Sequence, residues 1–186
     1  SMHDGMRKSR AQTCVAFRHN DPADLDRVLA NLRPRNNVFL ALESVYSMDG
    51  TICALPALKE VLERHVPHRD TRHIVVDEAH GAGVYGQGGR GVCDALHCHV
   101  SARLVTFGKA FGCAGAVLLV PVLWREYLLN YARPLIYSTA LPPSQAAAID
   151  VVISAWERGE MEAAVQMLHT RVAELYTALG LRSDAA

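Results

Sequence analysis

Apolar residues along the chain alternate between short unbroken runs and stripes at helical spacing. Val38-Phe39-Leu40-Ala41-Leu42, Ile74-Val75-Val76 and Leu104-Val105 are too short for helices and continuous enough for strands buried on both sides. Leu25, Val28, Leu29 and Leu32 recur at helical spacing behind Asp21-Pro22, a cap followed by proline at the first helical position, and Pro34 supplies a stop. A second stripe, Leu58, Val61, Leu62 and Val66, opens at Leu55-Pro56. Residues 13–17 read as a further strand ahead of the first helix. Val117-Leu118-Leu119-Val120 reads as a strand that follows its predecessor too closely for an intervening helix. A helix is expected near Pro121 to Ala132, then a helical tail from Pro143 to about Leu179 with a break near Gly159. Strands alternating with helices imply an α/β fold, a mostly parallel sheet with helices on both faces.

Half of the 186 residues are apolar and a fifth are charged, which suits a packed domain and argues against disorder. Lysine plus arginine equals aspartate plus glutamate at 19 each, so charge favours neither nucleic acid nor a basic partner. The longest apolar stretch, Ala114 to Trp124, is interrupted by Pro121 and falls short of the roughly 20 residues that span a bilayer. No apolar segment follows Arg7, Lys8 and Arg10, so these residues do not read as a secretory leader, and a cytoplasmic protein is expected. Five cysteines, an odd count without a C-x-x-C pair, do not read as a disulfide framework. Cys93, His97, Cys98 and His99 lack the second ligand pair of a structural zinc site, and no metal is expected.

In an open parallel sheet, ligands sit beyond the carboxyl ends of the strands. Polar residues stand there after three of the apolar runs: Glu43, Ser44 and Ser47, then Asp77 and His80, then Thr106 and Lys109. Lys109 lies among apolar residues and glycines in Val105-Thr106-Phe107-Gly108-Lys109-Ala110-Phe111-Gly112. Burial would lower its pKa from about 10.4 and suit it to attack an aldehyde. The alternative is a lysine that snorkels from a loop to solvent. Asp77 closes its strand, where a carboxylate can pair with the ring nitrogen of pyridoxal 5'-phosphate (PLP) and keep the ring an electron sink. His80, three residues on, is placed to hydrogen-bond that ring's phenolic oxygen. The alternatives for this pair are a helix cap and a satisfied polar residue.

Two literal motifs point elsewhere and fail on context. Asp77-Glu78-Ala79-His80 spells a helicase magnesium motif, but Gly108-Lys109 is followed by alanine, and Arg103 stands where a phosphate-cradling loop needs its first glycine. Gly81, Gly83 and Gly86 spell a dinucleotide fingerprint, but Gln87-Gly88-Gly89-Arg90-Gly91 prolongs the loop where a helix should begin.

Taken together, four blocks resemble the α-oxoamine synthases, a PLP-dependent family of the fold type I transferases. They are residues 43–50 (ESVYSMDG), 77–80 with the glycine-rich loop, 106–109 (TFGK) and 135–143 (LIYSTALPP), in the family's order and approximate spacing. The resemblance runs from His19 to about Ala148. It implies that Lys109 carries PLP as an internal aldimine and serves as the base, that Asp77 pairs with the pyridinium nitrogen, and that His80 contacts the phenolic oxygen. Ser47 and Thr106 would lie beside the cofactor and Glu43 in the polar network. Ser138 and Thr139 would reach the cofactor phosphate of a partner subunit, so a homodimer with shared sites is implied. The implied reaction condenses an amino acid with an acyl-CoA and releases CoA and carbon dioxide. Against the family pattern, residues 1–150 would be the central part of the PLP-binding large domain. Residues 151–186 would lead toward a small domain, and the phosphate-binding turn and the substrate-clamping arginine would lie outside the chain.

Overall fold

The computed structural model describes residues 2–32 and 36–180. Three strands run parallel, β1 (Val38–Glu43), β2 (Arg72–Asp77) and β3 (Ala102–Thr106), and β4 (Ala116–Leu119) returns antiparallel beside β3. The reversal follows from the short connection after β3, since a parallel crossover takes a dozen or more residues. The helices are α1 (Met2–Lys8), α2 (Pro22–Leu32), α3 (Leu55–His65), α4 (Val92–Ala95), α5 (Val122–Tyr131), α6 (Arg133–Ile136), α7 (Pro143–Glu157) and α8 (Glu162–Ala178). The helical tail breaks at Gly159, where φ is +75°.

Alternation along the strands decides the two faces. Leu40, Leu42, Ile74 and Val76 point to one side and form the core with Leu25 and Leu29 of α2 and Leu58, Val61 and Leu62 of α3. Phe39, Ala41, His73 and Val75 point to the other. Trp124 of α5 covers part of that second face, its ring 5.9 Å from Phe39 and 5.2 Å from His73. Helices therefore lie on both faces, though Phe39 remains 59% exposed. Cys53 and Cys93 fill the core; burial pushes the Cys53 thiol up to about 11 and raises that of Cys93 as well. Both remain protonated at neutral pH, as inert thiols do.

The expected strand at residues 13–17 is not formed: this stretch is irregular and pairs with no strand. Phe17 packs against the core while Val15 stays 51% exposed, so the segment is anchored by one side chain and not by a ladder. The α1 helix has no buried residue, which explains why no apolar stripe announces it. The stop expected at Pro34 lies outside the described residues.

The start of α2 bears on everything after it. Asp21 Oδ1 accepts the Asp24 N–H at 3.0 Å, capping the helix. The buried Asp24 carboxylate then accepts the Arg18 N–H at 2.8 Å and pairs with Arg27 at 2.8 Å. Just ahead of the cap, Asn20 donates to Ile52 O and accepts the Ala54 N–H, both at 2.7 Å, and so ties this turn to the loop after β1. The Arg18 N–H first, and then Arg27, hold the Asp24 carboxyl below its ordinary value of 3.8. Asp26 is lowered chiefly by His65, and Asp49 chiefly by the Thr51 N–H. A carboxyl depressed in the folded chain contributes stability above its unfolded pKa that is lost as pH falls through the folded value. Urea unfolding between about pH 3 and pH 6 is therefore expected to show stability falling below about pH 4, and Asp24→Asn should flatten part of that fall.

Candidate active site

The parallel register assembles the first part of the site. Glu43 is paired with Asp77 and Asp77 with Leu104, and Thr106 lies two residues beyond Leu104 on the same face. Paired residues in a parallel ladder point the same way, so Glu43, Asp77 and Thr106 rise on one face at the carboxyl ends of three adjacent strands. This is the Phe39–His73 face, opposite the core under α3. Asp77 Oδ1 accepts the Ala79 N–H at 2.9 Å, which turns the chain toward His80. Thr106 Oγ1 donates to Gly115 O and accepts the Gly108 N–H, each at 3.3 Å, closing the base of the loop that carries Lys109.

Lys109 and His80 meet directly: Nζ and Nε2 are 2.6 Å apart, a hydrogen bond between an amine and an imidazole from different loops. Lys109 is exposed, not buried as its apolar sequence neighbours suggested. Those neighbours turn inward. Phe107 is buried, its ring 5.6 Å from Phe111, and Phe111 packs on Trp156, leaving the amine at the turn closed by the Gly112 N–H on Lys109 O. Apolar residues in sequence thus support the loop without enclosing its lysine.

Ser47 is exposed on the turn after β1. Tyr46 N–H to Thr51 O closes that turn at 2.9 Å, and His19 braces it through Asp49 at 3.0 Å and Thr51 Oγ1 at 2.8 Å. Ser138 and Thr139 are exposed after α6, and the Ser138 hydroxyl donates within its own segment, to Pro134 O. Leu141 of the same stretch packs against Gly115, at the base of the Lys109 loop. The structure therefore brings together Glu43, Asp77 and Thr106 by register and His80 and Lys109 by contact. Ser47 stands exposed on the turn after β1, and Ser138 and Thr139 stand exposed on the segment after α6.

Sequence reasoning missed Glu78. This carboxylate is fully buried and accepts the Val92 N–H at 3.0 Å and the Cys93 N–H at 2.7 Å at the start of α4. Its role explains why the helicase motif fails here, because Glu78 points away from Asp77 and is engaged inside the fold. It also accounts for the glycines. At Gly91, where φ is +98°, an added Cβ would lie 2.7 Å from the Glu78 carboxylate. At Gly89 it would lie 2.6 Å from the Trp156 ring. These glycines admit protein neighbours and form no dinucleotide loop. The signal for Glu78 was strand alternation, which sends consecutive residues to opposite faces.

A mostly parallel sheet with aspartate and lysine at adjacent strand ends, the lysine on the loop after the last parallel strand, is the fold of the PLP-dependent transferases. Residues 1–183 match the class I and II aminotransferases, and the chain belongs to that family. It is 38% identical to an 8-amino-7-oxononanoate synthase of Emericella nidulans over 96% of this chain and 46% of the relative. Among solved structures, serine palmitoyltransferase from S. paucimobilis with a bound PLP-myriocin aldimine superposes with a TM-score of 0.76 at 32% identity, over 83% of this chain and 38% of that one. The 8-amino-7-oxononanoate synthase of Francisella tularensis also gives 0.76, at 29% identity over 99% of this chain and 52% of that one. These relatives are α-oxoamine synthases. The chain spans under half the length of the curated relative.

Glu78→Ala is expected to destabilise the fold by on the order of 3 kcal/mol, because two buried N–H groups lose their acceptor. Glu78→Gln, which keeps one acceptor oxygen, should cost distinctly less in the same urea titration.

Proposed function

We propose that this chain forms the cofactor-binding core of a PLP-dependent α-oxoamine synthase, an acyltransferase that condenses an amino acid with an acyl-CoA. The observation that carries the reading is the 2.6 Å contact between Lys109 Nζ and His80 Nε2 beside the Asp77 strand end. The donor set fits PLP: an amine for its aldehyde, a carboxylate for its ring nitrogen and an imidazole for its phenolic oxygen. Lys109, Asp77 and His80 would hold those three points, with Thr106 and Ser47 alongside and Glu43 bracing the polar network. Ser138 and Thr139 would serve the phosphate in a second copy, so the functional form would be a homodimer. When bound, PLP supplies an electron sink that stabilises a carbanion next to the substrate's amine.

The protein's share of the work follows from its own groups. Asp77, anchored by the Ala79 N–H, would keep a positive ring nitrogen in place. His80 would hold the Lys109 amine by this hydrogen bond, in place to attack the aldehyde and later to accept the α-proton of an amino acid. Rigid strand ends would fix these groups relative to one another, which is where much of the rate advantage of such sites arises.

The relatives favour an 8-amino-7-oxononanoate synthase-like reaction, the biotin-pathway branch, with release of CoA and carbon dioxide. A 5-aminolevulinate synthase or 2-amino-3-ketobutyrate CoA ligase would use the same core with a different acyl group and amino acid. Titrating the chain with PLP should produce a visible absorbance band that borohydride fixes covalently and that Lys109→Ala abolishes. A folded sample giving none of these would be a scaffold and not an enzyme core. CoA release from pimeloyl, succinyl and acetyl thioesters, with alanine or glycine and the full-length protein, would then identify the branch.

A further inference from the structure

His80 and Lys109 sit on loops that leave different strands, 78–91 after β2 and 107–115 after β3. Both loops are rich in glycine, which adds little stiffness of its own. They converge on one side chain from far along the sequence, Trp156 near the end of α7, only 8% exposed. Its ring lies 5.6 Å from that of Phe111, two residues past Lys109. It also presses on Gly89, where an added Cβ would come within 2.6 Å of Cζ3. The loops touch between these points: a Cβ at Gly83 would lie 2.5 Å from Ala110 Cβ, with Trp156 Cζ2 at 3.6 Å and Phe111 Cε2 at 3.7 Å. From α8, His169 Nε2 bonds to Val84 O at 2.9 Å and its ring meets Tyr85 at 5.4 Å, so the helical pair grips the glycine-rich loop at a second place.

We propose that Trp156 is a positioning residue that clamps these two loops together and thereby sets the contact between Lys109 and His80. The indole fills the junction with its faces and edges against both loops, so the two backbones cannot separate without exposing it. Lys109 Nζ ends a flexible four-carbon stem, and holding it on one imidazole nitrogen requires both loop backbones to be fixed. For cofactor loading, the inference rests on reading Lys109 as the PLP lysine; for the contact itself, it rests on geometry alone.

The test uses the 186-residue chain and two readouts. The first is the NMR position of the His80 ring signals at one fixed pH, with Lys109→Met marking the value for a broken contact. The second is the rate at which PLP is trapped on Lys109 by borohydride, followed by mass. In Trp156→Ala the His80 signals should move to the Lys109→Met position and trapping should slow by about tenfold or more. Trp156→Phe, which keeps an aromatic ring against Phe111, should retain the wild-type signals and load within about twofold of wild type. If Trp156→Ala is folded by circular dichroism and keeps the wild-type His80 signals, the clamp is wrong. Should Trp156→Ala not fold, Trp156→Leu, which fills most of the same volume, decides by the same comparison. If the signals respond as expected but the wild-type chain traps no PLP, the clamp stands and the cofactor reading fails. If the wild type and Trp156→Ala load equally fast with unchanged signals, the reverse holds.

Discussion

Lateral register among β1, β2 and β3 is the constraint on which the site depends. Leu40, Leu42, Ile74 and Val76 must all face α2 and α3 to bury the core, and that requirement excludes any one-residue slip of the strands. The same alignment sets Glu43 beside Asp77 and leaves Thr106 on their face. A slip of one residue would turn the Asp77 carboxylate into the core and bring Glu78 out to replace it. Burial of hydrocarbon on one side thus places the polar groups on the other.

Asp77 and Glu78 show how one turn of chain serves two purposes. Asp77 ends its strand on the polar face, while Glu78 turns inward and receives two N–H groups of α4. Burying a carboxylate is costly unless it is hydrogen-bonded, and these bonds offset the cost. In exchange, Glu78 ties the glycine-rich loop back under the sheet, with Gly91 lying against its carboxylate. Trp156 meets the same loop at Gly83 and Gly89, so the segment bearing His80 is held by both a buried carboxyl group and a buried indole.

Most elements were legible because burial leaves its mark on near neighbours along the chain. Strands β1, β2 and β3 announce themselves as short apolar runs, and α2 and α3 as capped or proline-led stripes. The failures share a cause. Residues 13–17 have strand-forming residues, but they pair with neither edge of the sheet and stay irregular. Lys109 has apolar neighbours in sequence, yet Phe107 and Phe111 turn inward and leave the amine outside. In both places local composition was visible and the direction of side chains was not.

The sequence by itself determined the order of β1 to β4 and of α2, α3, α5, α7 and α8, the residues at the strand ends and, through four spaced blocks, the family. Those properties depend on near neighbours along the chain, where alternation, capping and motif spacing operate. Only the tertiary structure decided that Lys109 touches His80, that Glu78 is a brace and not a ligand, and that Trp156 joins two loops. Each of these is a contact across the fold whose partners depend on how separate elements pack, and no periodicity in a linear chain records which side chains will meet.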